Sequence, residues 1–412
     1  MSKDARFFLF LLANDTFSFL VLLGGGGANL PPKKKKEVIK IINCPYCGSD
    51  KLIKRGFDPN NKQRYHCKNC GKYPTEGAKK NRDKEDIILK SNDTKLKDLL
   101  KKGSLSIEEL SNQTGIIPKE VRRIIKELED KKFNIHYKDN KVELTKEIKP
   151  GNTKKLNIDY WKGDNLKIGF VSDSHLCSKY ERLKELNLIY DIFADEKIEV
   201  VYHGGNYIEG ESRFNKFDIH TMGMTPQVKY FVDNYPKRKG MITRYIAGDD
   251  HEGWYAQREH INIGEYTQME AEKAGRKDLE YIGYLECDIP FEGIKGKSWM
   301  RVMHPGGGSA YATSYKPQKI VESFQGGEKP RILLIGHYHK IDYCFPREVH
   351  CIQMGCTVDQ NVWSRKKPLR YDIGGGILHM RLAKDGTINR VMVEFITFFD
   401  KKFYIGNDKY WK

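Results

Sequence analysis

The chain has 412 residues, 39% hydrophobic and 11% aromatic. That excludes collagen-like and wholly disordered classes and provides for about two or three domains of roughly 100–200 residues. The formal net charge is +17, from 72 Lys and Arg against 55 Asp and Glu, an excess that favours a polyanionic partner over a neutral metabolite. It is unevenly placed: residues 31–150 carry a net +13, residues 151–412 carry +4, and residues 1–30 balance.

Residues 1–36 comprise an apolar segment and a basic linker. Phe7 to Leu23 is an apolar stretch of 17 residues broken by Asn14, Asp15 and Thr16 and followed by Gly24 to Gly27. A spanning helix needs about 20 apolar residues, and export as a signal peptide would carry paired cysteines into an oxidising compartment. The segment is read as a packed or interacting element, with no membrane partner. Lys33 to Lys36 make the linker. Of nine cysteines, five (Cys177, Cys287, Cys344, Cys351 and Cys356) follow no framework spacing. A reducing location is therefore expected: cytoplasmic, nucleoid-associated or within an infected host cell.

Residues 37–75 hold the other four. Cys44-Pro-Tyr-Cys47 and Cys67-Lys-Asn-Cys70 are separated by nineteen residues. Each pair lets two thiolates reach one ion from a tight turn, and two pairs complete a tetrahedral sulfur site for one structural zinc ion. The CPYCGS opening and the QRYHCKNCG second knuckle resemble the zinc ribbon at the amino end of insertion-sequence transposases. That resemblance implies DNA docking, with Arg64, Lys68 and Lys72 as the phosphate-reaching candidates.

Residues 76–94 read as a second linker and 95–150 as a helical module ending in a hairpin. Leu96, Leu99 and Leu100 give a first helix its apolar face. Ser106 with Glu109 has the spacing of a capping box. Gly115 marks a turn, and Pro118 opens a third helix that turns Val121, Ile124, Ile125 and Leu128 inward and Lys119, Arg122, Arg123 and Lys126 outward. Ile135–Tyr137 and Val142–Leu144 flank Asp139-Asn140 as a short wing. The pattern resembles winged helix-turn-helix domains, whose third helix enters the major groove; a small helical packing or dimerisation module is the alternative.

Residues 158–400 alternate β-rich and helical runs, which argues for a mixed α/β domain. Five short motifs stand at or just after its β-like runs: Asp173-Ser-His175, Gly205-Asn206, Asp250-His251-Glu252, His304, and Gly336-His337-Tyr-His339. Carboxylates and imidazoles on strand ends are what hard divalent metals acting on phosphate require. Two further histidines, His203 and His260, lie close to the motifs. Gly306 to Gly308 could let a phosphodiester backbone approach, and Gly374 to Gly376 read as a turn before the strand ILHMRL.

The ordered motifs resemble the calcineurin-like metallophosphoesterase superfamily over residues 166–385. The resemblance implies two β-sheets packed face to face with helices outside, holding two divalent metals, Mn2+ being the ion expected. It implies that Asp173, His175 and His339 hold one metal, that Asp250, His304 and His337 hold the other, and that Asn206 stands where the family has a bridging aspartate. His251 matches the histidine that stabilises the reacting phosphate and protonates the leaving oxygen. Two departures stand out. Asn206 replaces the bridging acid and Asp250 replaces the usual asparagine, so the carboxylate count is kept. Asp249 and Glu209 lie near enough to assist.

The fold class read from the sequence is thus multidomain α+β: a zinc ribbon, a winged helix and a two-sheet sandwich flanked by helices. The expected function is a two-metal phosphodiesterase acting on nucleic acid, in particular a DNA nuclease targeted by its amino-terminal modules. In such a site two metals about 3.5–4 Å apart act on a phosphate in an in-line displacement. A protein phosphatase and a non-catalytic DNA-binding regulator with a degenerate site are the rivals.

Overall fold

The computed structural model describes residues 43–45, 49–58, 62–75, 91–151, 165–291, 298–383 and 387–399. The apolar segment and basic linker of residues 1–36, Cys47, and residues 76–90 of the second linker lie outside them. The chain divides into two compact units, Met1–Leu89 and Lys90–Lys412.

In the first unit, β1 (Leu52–Phe57) and β2 (Gln63–Cys67) form an antiparallel hairpin. Cys44, Cys67 and Cys70 bring their sulfurs within 4.8 Å of one another. Arg64, Lys68 and Lys72 are exposed on this hairpin and the knuckle after it, and the Arg64 guanidinium lies 5.6 Å from the Tyr73 ring centre.

The second unit opens with α1 (Asn92–Leu100), α2 (Ile107–Thr114), α3 (Pro118–Asp130) and the hairpin of β3 (Ile135–Lys138) and β4 (Lys141–Leu144). The first helix starts at Asn92, inside the stretch read as a second linker. Asp93 in its first turn suits the positive end of the helix dipole. Ser106 and Glu109 cap α2 reciprocally, and Gly115 closes it with a left-handed φ of 72°. Asp139 and Asn140 both have positive φ, as a two-residue hairpin turn demands. These elements enclose their own core, built on Leu96, Leu110, Val121, Ile124, Leu128 and Val142.

The rest of the unit runs β5 (Asn165–Val171), α4 (Leu183–Asp195), β6 (Val200–His203), α5 (Met224–Asn234), β7 (Ile242–Ala247), α6 (Glu252–Glu259), α7 (Ile263–Lys273), β8 (Leu279–Tyr284), β9 (Glu286–Pro290) and β10 (Trp299–Met303). It continues with α8 (Tyr315–Ser323), β11 (Ile332–Ile335), β12 (Ile341–Cys344), β13 (His350–Met354), α9 (Val362–Lys366), β14 (Ile373–Leu382) and β15 (Ile388–Phe398). A six-stranded sheet has the order β15-β14-β5-β6-β7-β8 and a five-stranded sheet the order β12-β13-β11-β10-β9. Their facing side chains, among them Ile168, Phe170, Tyr202, Ile246, Met300, Val302, Leu334, Ile352 and Leu378, make one apolar layer. The outer face of the larger sheet is covered by α4, α5 and α7 through Ile189, Phe193, Phe231 and Ala271. Val321 of α8 packs on Leu333 and Ile335 of the smaller sheet. Fully burying a side chain the size of Phe170 contributes roughly 1.5–3 kcal/mol, so these layers hold the strand ends in fixed positions.

One expectation is corrected here. Gly374 to Gly376 are not a turn; they lie inside β14. A Cβ on Gly376 would come within 2.3 Å of the Glu394 carbonyl oxygen and 2.5 Å of the Phe170 ring. The glycines permit a close strand-on-strand and strand-on-ring approach.

The elements from α1 to β4 contact the sandwich within this unit. The Asn134 N–H donates to the His260 carbonyl at 2.8 Å, His260 Nδ1 lies 2.9 Å from the Leu144 carbonyl, and Lys101 Nζ reaches Glu259 at 3.3 Å.

Candidate metal centre

Within the larger sheet β5, β6 and β7 run parallel, and within the smaller one β10 and β11 do. Parallel strands present their carboxyl ends together, the usual place for a site in such sheets. Asp173 and His175 follow β5, Asn206 follows β6, Asp250 and His251 follow β7, His304 follows β10, and His337 and His339 follow β11. Ordinary loops would let these residues relax. Instead Asp173, His175, Asn206, His251, His337 and His339 all have φ between 45° and 76°. Non-glycine residues held there cost of order 1–3 kcal/mol each, and such strain gathers at functional sites.

The side chains fall into two groups. Asp173, His175 and His339 bring one ligand atom each within 4.8 Å of the others, and so do Asp250, His304 and His337. In the first group Nε2 of His175 and Nε2 of His339 lie 3.2 Å apart, and the latter is 3.2 Å from Asp173 Oδ1. The other Asp173 oxygen accepts from the His337 N–H at 2.8 Å, which ties the two groups together. In the second group Asp250 Oδ1 is 3.4 Å from His304 Nε2, and Asp250 Oδ2 is 3.4 Å from His337 Nδ1.

Asn206 stands between them. Its Nδ2 points at Asp173 Oδ1 at 3.4 Å. Its Oδ1 shares the space over Gly248 with Asp250 Oδ1 and the His304 ring. Gly205 is required beside it: its φ is 93°, and a Cβ would fall 2.6 Å from His304 Nδ1.

Supporting contacts fix which nitrogen is free on three of the four rings. The Gly204 carbonyl accepts from His304 Nδ1 at 2.6 Å, leaving Nε2 toward Asp250. The Gly307 carbonyl accepts from His337 Nε2 at 2.7 Å, leaving Nδ1 toward Asp250. The Glu209 carboxylate accepts from His175 Nδ1 at 2.9 Å, leaving Nε2 toward His339. Metal-binding histidines are oriented in just this way by a carbonyl or carboxylate on the far nitrogen. The Glu209 carbonyl accepts from His251 Nδ1 at 2.8 Å, leaving His251 Nε2 free. The His251 ring meets the His175 ring edge-on with centres 4.2 Å apart.

The electrostatics favour positive charge at this spot. Burial alone would raise the Asp173 carboxyl, but His339 and His175 hold it well below the carboxylate range. Burial likewise opposes ionisation of Asp250, yet its neighbours His304 and His337 and the charge of His251 hold it far below that range. His175 is pushed up to about 10: burial opposes this, and contacts with Asp173 and Glu209 overcome it.

The same field acts on a cation, and the donor set fits one. Asn206 Oδ1, Asp250 Oδ1, His304 Nε2 and His337 Nδ1 are buried without a hydrogen-bond partner. Buried polar atoms are ordinarily paired; here four converge with none. Imidazoles and carboxylates together suit Zn2+, Mn2+ or Fe2+.

Glu252, first residue of α6, has a buried carboxylate that accepts from the Asn206 N–H at 2.9 Å and the Gly248 N–H at 2.8 Å. Burial pushes its pKa up to about 8. Asn215 donates to Glu209 Oε1 at 3.1 Å. The sequence marks Glu252 only by its place directly after Asp250-His251 and carries no signal for Asn215. Asp249, expected to assist, leaves its carbonyl accepting from Gln257 Nε2 at 2.9 Å.

The histidines under suspicion resolve differently. His203 Nε2 lies 3.0 Å from Ser174 Oγ, its Nδ1 accepts from the Gly205 N–H, and burial pushes it down to about 3. It is a neutral strut. His260 caps α6 and holds the Leu144 carbonyl.

The outward-facing cations of α3 are all exposed. Lys119 and Lys126 stand as expected and Arg122 lies 3.9 Å from Glu108. Arg123 is committed to Glu120 and Glu127, one turn to either side, so its charge is largely neutralised on its own helix. Among the described residues no helix is long and apolar enough to cross a membrane.

No protein-family model and no curated protein matches this chain. Solved structures similar to it include an archaeal phosphodiesterase, 16% identical over 57% of this chain and 100% of that one, with a TM-score of 0.33. A 5'-nucleotidase precursor of Thermus thermophilus is 12% identical over 57% of this chain and 54% of that one, TM-score 0.31. Vps29 of Entamoeba histolytica complexed with zinc is 13% identical over 57% and 100%, TM-score 0.27. Likenesses this loose add nothing to the chemistry, which rests on the side chains themselves.

Proposed function

We propose that the chain is a metal-dependent phosphoesterase that cleaves phosphodiesters of nucleic acid, DNA in particular. The observation that carries this reading is the convergence of two carboxylate–imidazole groups, joined by Asn206, in a strained pocket where Asn206 Oδ1 and the facing atoms of Asp250, His304 and His337 lack hydrogen-bond partners. Asp173, His175 and His339 would hold one divalent cation, and Asp250, His304 and His337 the other. An asparagine offers one good oxygen, and Asn206 Oδ1 faces the second group. Bound Mn2+ would supply Lewis-acid polarisation of a phosphoryl oxygen and neutralise charge on it.

The chain's own residues do the rest. Glu209 and the Gly204 and Gly307 carbonyls hold the rings in register. His251 is held below the ordinary histidine range by burial and by its neighbour His175. With Nδ1 fixed on the Glu209 carbonyl, its Nε2 is the one atom of that ring able to exchange a proton with a substrate oxygen. A negatively charged phosphate beside it would favour the protonated ring, which can then donate to the leaving oxygen.

Nucleic acid is the favoured substrate because the net +13 of residues 31–150 precedes this site in one chain. We read residues 37–75 as a ribbon closed by one structural zinc on Cys44, Cys47, Cys67 and Cys70, and residues 95–150 as a winged helix. Both would dock on phosphate through Arg64, Lys68, Lys72, Lys119, Arg122 and Lys126.

The test offers purified full-length protein with Mn2+ to single-stranded DNA, duplex DNA, RNA and a phosphopeptide. Metal-dependent cleavage of nucleic acid supports the reading. Dephosphorylation of the peptide alone makes it a phosphatase, and inertness toward all four makes it a binding protein. Elemental analysis that finds no zinc in protein with an intact β1–β2 hairpin rejects the ribbon.

A further inference from the structure

The loop between Glu209 and α5 reads Glu211-Ser-Arg-Phe-Asn-Lys-Phe-Asp218. It carries two of the most exposed large apolar side chains among the described residues, Phe214 at 78% and Phe217 at 85%. Each forgoes the roughly 1.5–3 kcal/mol that burying such a ring contributes. Single exposed apolar residues need no explanation. Two rings three residues apart on a loop touching a buried polar site do.

The loop is firmly held. Asn215 accepts from the Ser212 N–H at 2.8 Å and donates to the Glu209 carboxylate, the group that orients His175. The Phe217 carbonyl accepts from Lys179 Nζ at 2.7 Å, and the His220 N–H donates to the Cys177 carbonyl at 2.9 Å. The rings are therefore presented on a backbone pinned to the strand-end loops of the site itself. Cations alternate with them: the Arg213 guanidinium lies 4.6 Å from the Phe214 ring centre, and neither Arg213 nor Lys216 forms an ion pair among the described residues. The loop after His304 adds a fully exposed ring, Tyr311, four residues beyond Gly307.

Exposed rings on a pinned backbone, interleaved with cations that form no ion pair among the described residues, have the chemistry of a platform for unpaired nucleobases: rings stack on base faces and cations follow the backbone. Duplex bases are already paired and stacked and cannot offer those faces. A purely apolar protein partner would leave Arg213 and Lys216 buried without counter-charge. We propose that Phe214 and Phe217, with Arg213 and Lys216, take the unpaired bases of single-stranded nucleic acid and lead its backbone to the adjacent strand-end site. This rests on the nucleic-acid reading above and narrows its substrate to unpaired strands or tails.

The test is binding of full-length protein, without added divalent metal, to labelled oligo-dT and to an abasic oligomer of the same length. The parent prefers oligo-dT, and Phe214→Ala with Phe217→Ala removes that preference, each ring contributing roughly 5- to 150-fold. Phe214→Trp with Phe217→Trp, which keeps the stacking faces, retains it. Photocrosslinking of a 5-iodouracil oligomer maps to the 211–218 loop. Equal affinity of the parent for oligo-dT and abasic strand, a preference surviving the alanine pair, or crosslinks confined to residues 43–145 each overturn the proposal; the second outcome would leave the rings to a protein partner. Hydrolysis by the parent of bis-p-nitrophenyl phosphate, a diester with no base, tests the chemistry separately. An inert parent with base-dependent binding rejects the catalytic reading and leaves the platform standing.

Discussion

Glu209→Gln is the sharpest perturbation of the candidate metal centre. Glu209 is 5% exposed, and its carboxylate accepts from His175 Nδ1 at 2.9 Å and from Asn215 Nδ2 at 3.1 Å. Two donors meet two oxygens. Glutamine keeps the shape but replaces one oxygen with an amide nitrogen, so one donor must face another. A buried donor left unpaired costs about 1–3 kcal/mol. Loss of the charge also makes His175 a weaker ligand, and removing such a partner lowers metal affinity about 10–100-fold. That factor corresponds to about 1.4–2.8 kcal/mol of metal binding, separate from the stability cost of the unpaired donor. Calorimetric titration of Mn2+ into metal-free parent and variant is the assay, with thermal unfolding of both metal-free proteins alongside. One binding step should weaken about 10–100-fold, while the step assigned to Asp250, His304 and His337 holds. If Mn2+ binds parent and variant alike while the variant melts earlier, Glu209 is a packing residue and the orientation argument fails.

His251→Ala should retain both metals and lose about 10²–10⁴ in cleavage rate, the range for a general acid. Loss of metal instead would make it a ligand with His175 and Glu209, three residues whose ligand atoms lie within 4.8 Å of one another. Asp250→Asn should lose the cation held with His304 and His337. The double exchange Asn206→Asp with Asp250→Asn should at least equal the parent, because it keeps the carboxylate count and moves the acid to the position between the two groups; metal stoichiometry and rates for all four proteins decide this. If the parent is inert and Asn206→Asp alone activates it, the two positions do not compensate. Gly376→Ala forces a Cβ against Phe170 and the Glu394 carbonyl and should destabilise the second unit by about 1–3 kcal/mol; an unchanged denaturant midpoint would show that β14 and β15 can separate freely.

The elements legible in the sequence are those whose signals are local. Ser106 and Glu109 cap a helix three residues apart, Pro118 opens one, and Asp139-Asn140 turns a hairpin. Each involves hydrogen bonds or dihedrals within a few residues, so spacing alone carries it. The order of Asp173, His175, Asn206, Asp250, His304, His337 and His339 was legible for a related reason: strands bury apolar runs, and the polar residue ending each run marks the strand's end.

What remained hidden depends on neighbours distant in the chain. Gly374 to Gly376 look like a turn until Phe170 and Glu394 stand beside them. Arg123 looks free until its rotamer meets Glu120 and Glu127. His203 resembles a ligand until Ser174 and the Gly205 N–H occupy both nitrogens. Asn215 and Glu252 acquire their roles only once parallel strands draw separate loops to one end of the sandwich, and only there does Glu209, already near the motifs in sequence, meet His175. Sequence determined which groups could bind, because side-chain chemistry and local turns travel with the chain. Tertiary structure decided which nitrogen of each ring faces inward and which charges are neutralised, because those depend on partners brought together only by packing.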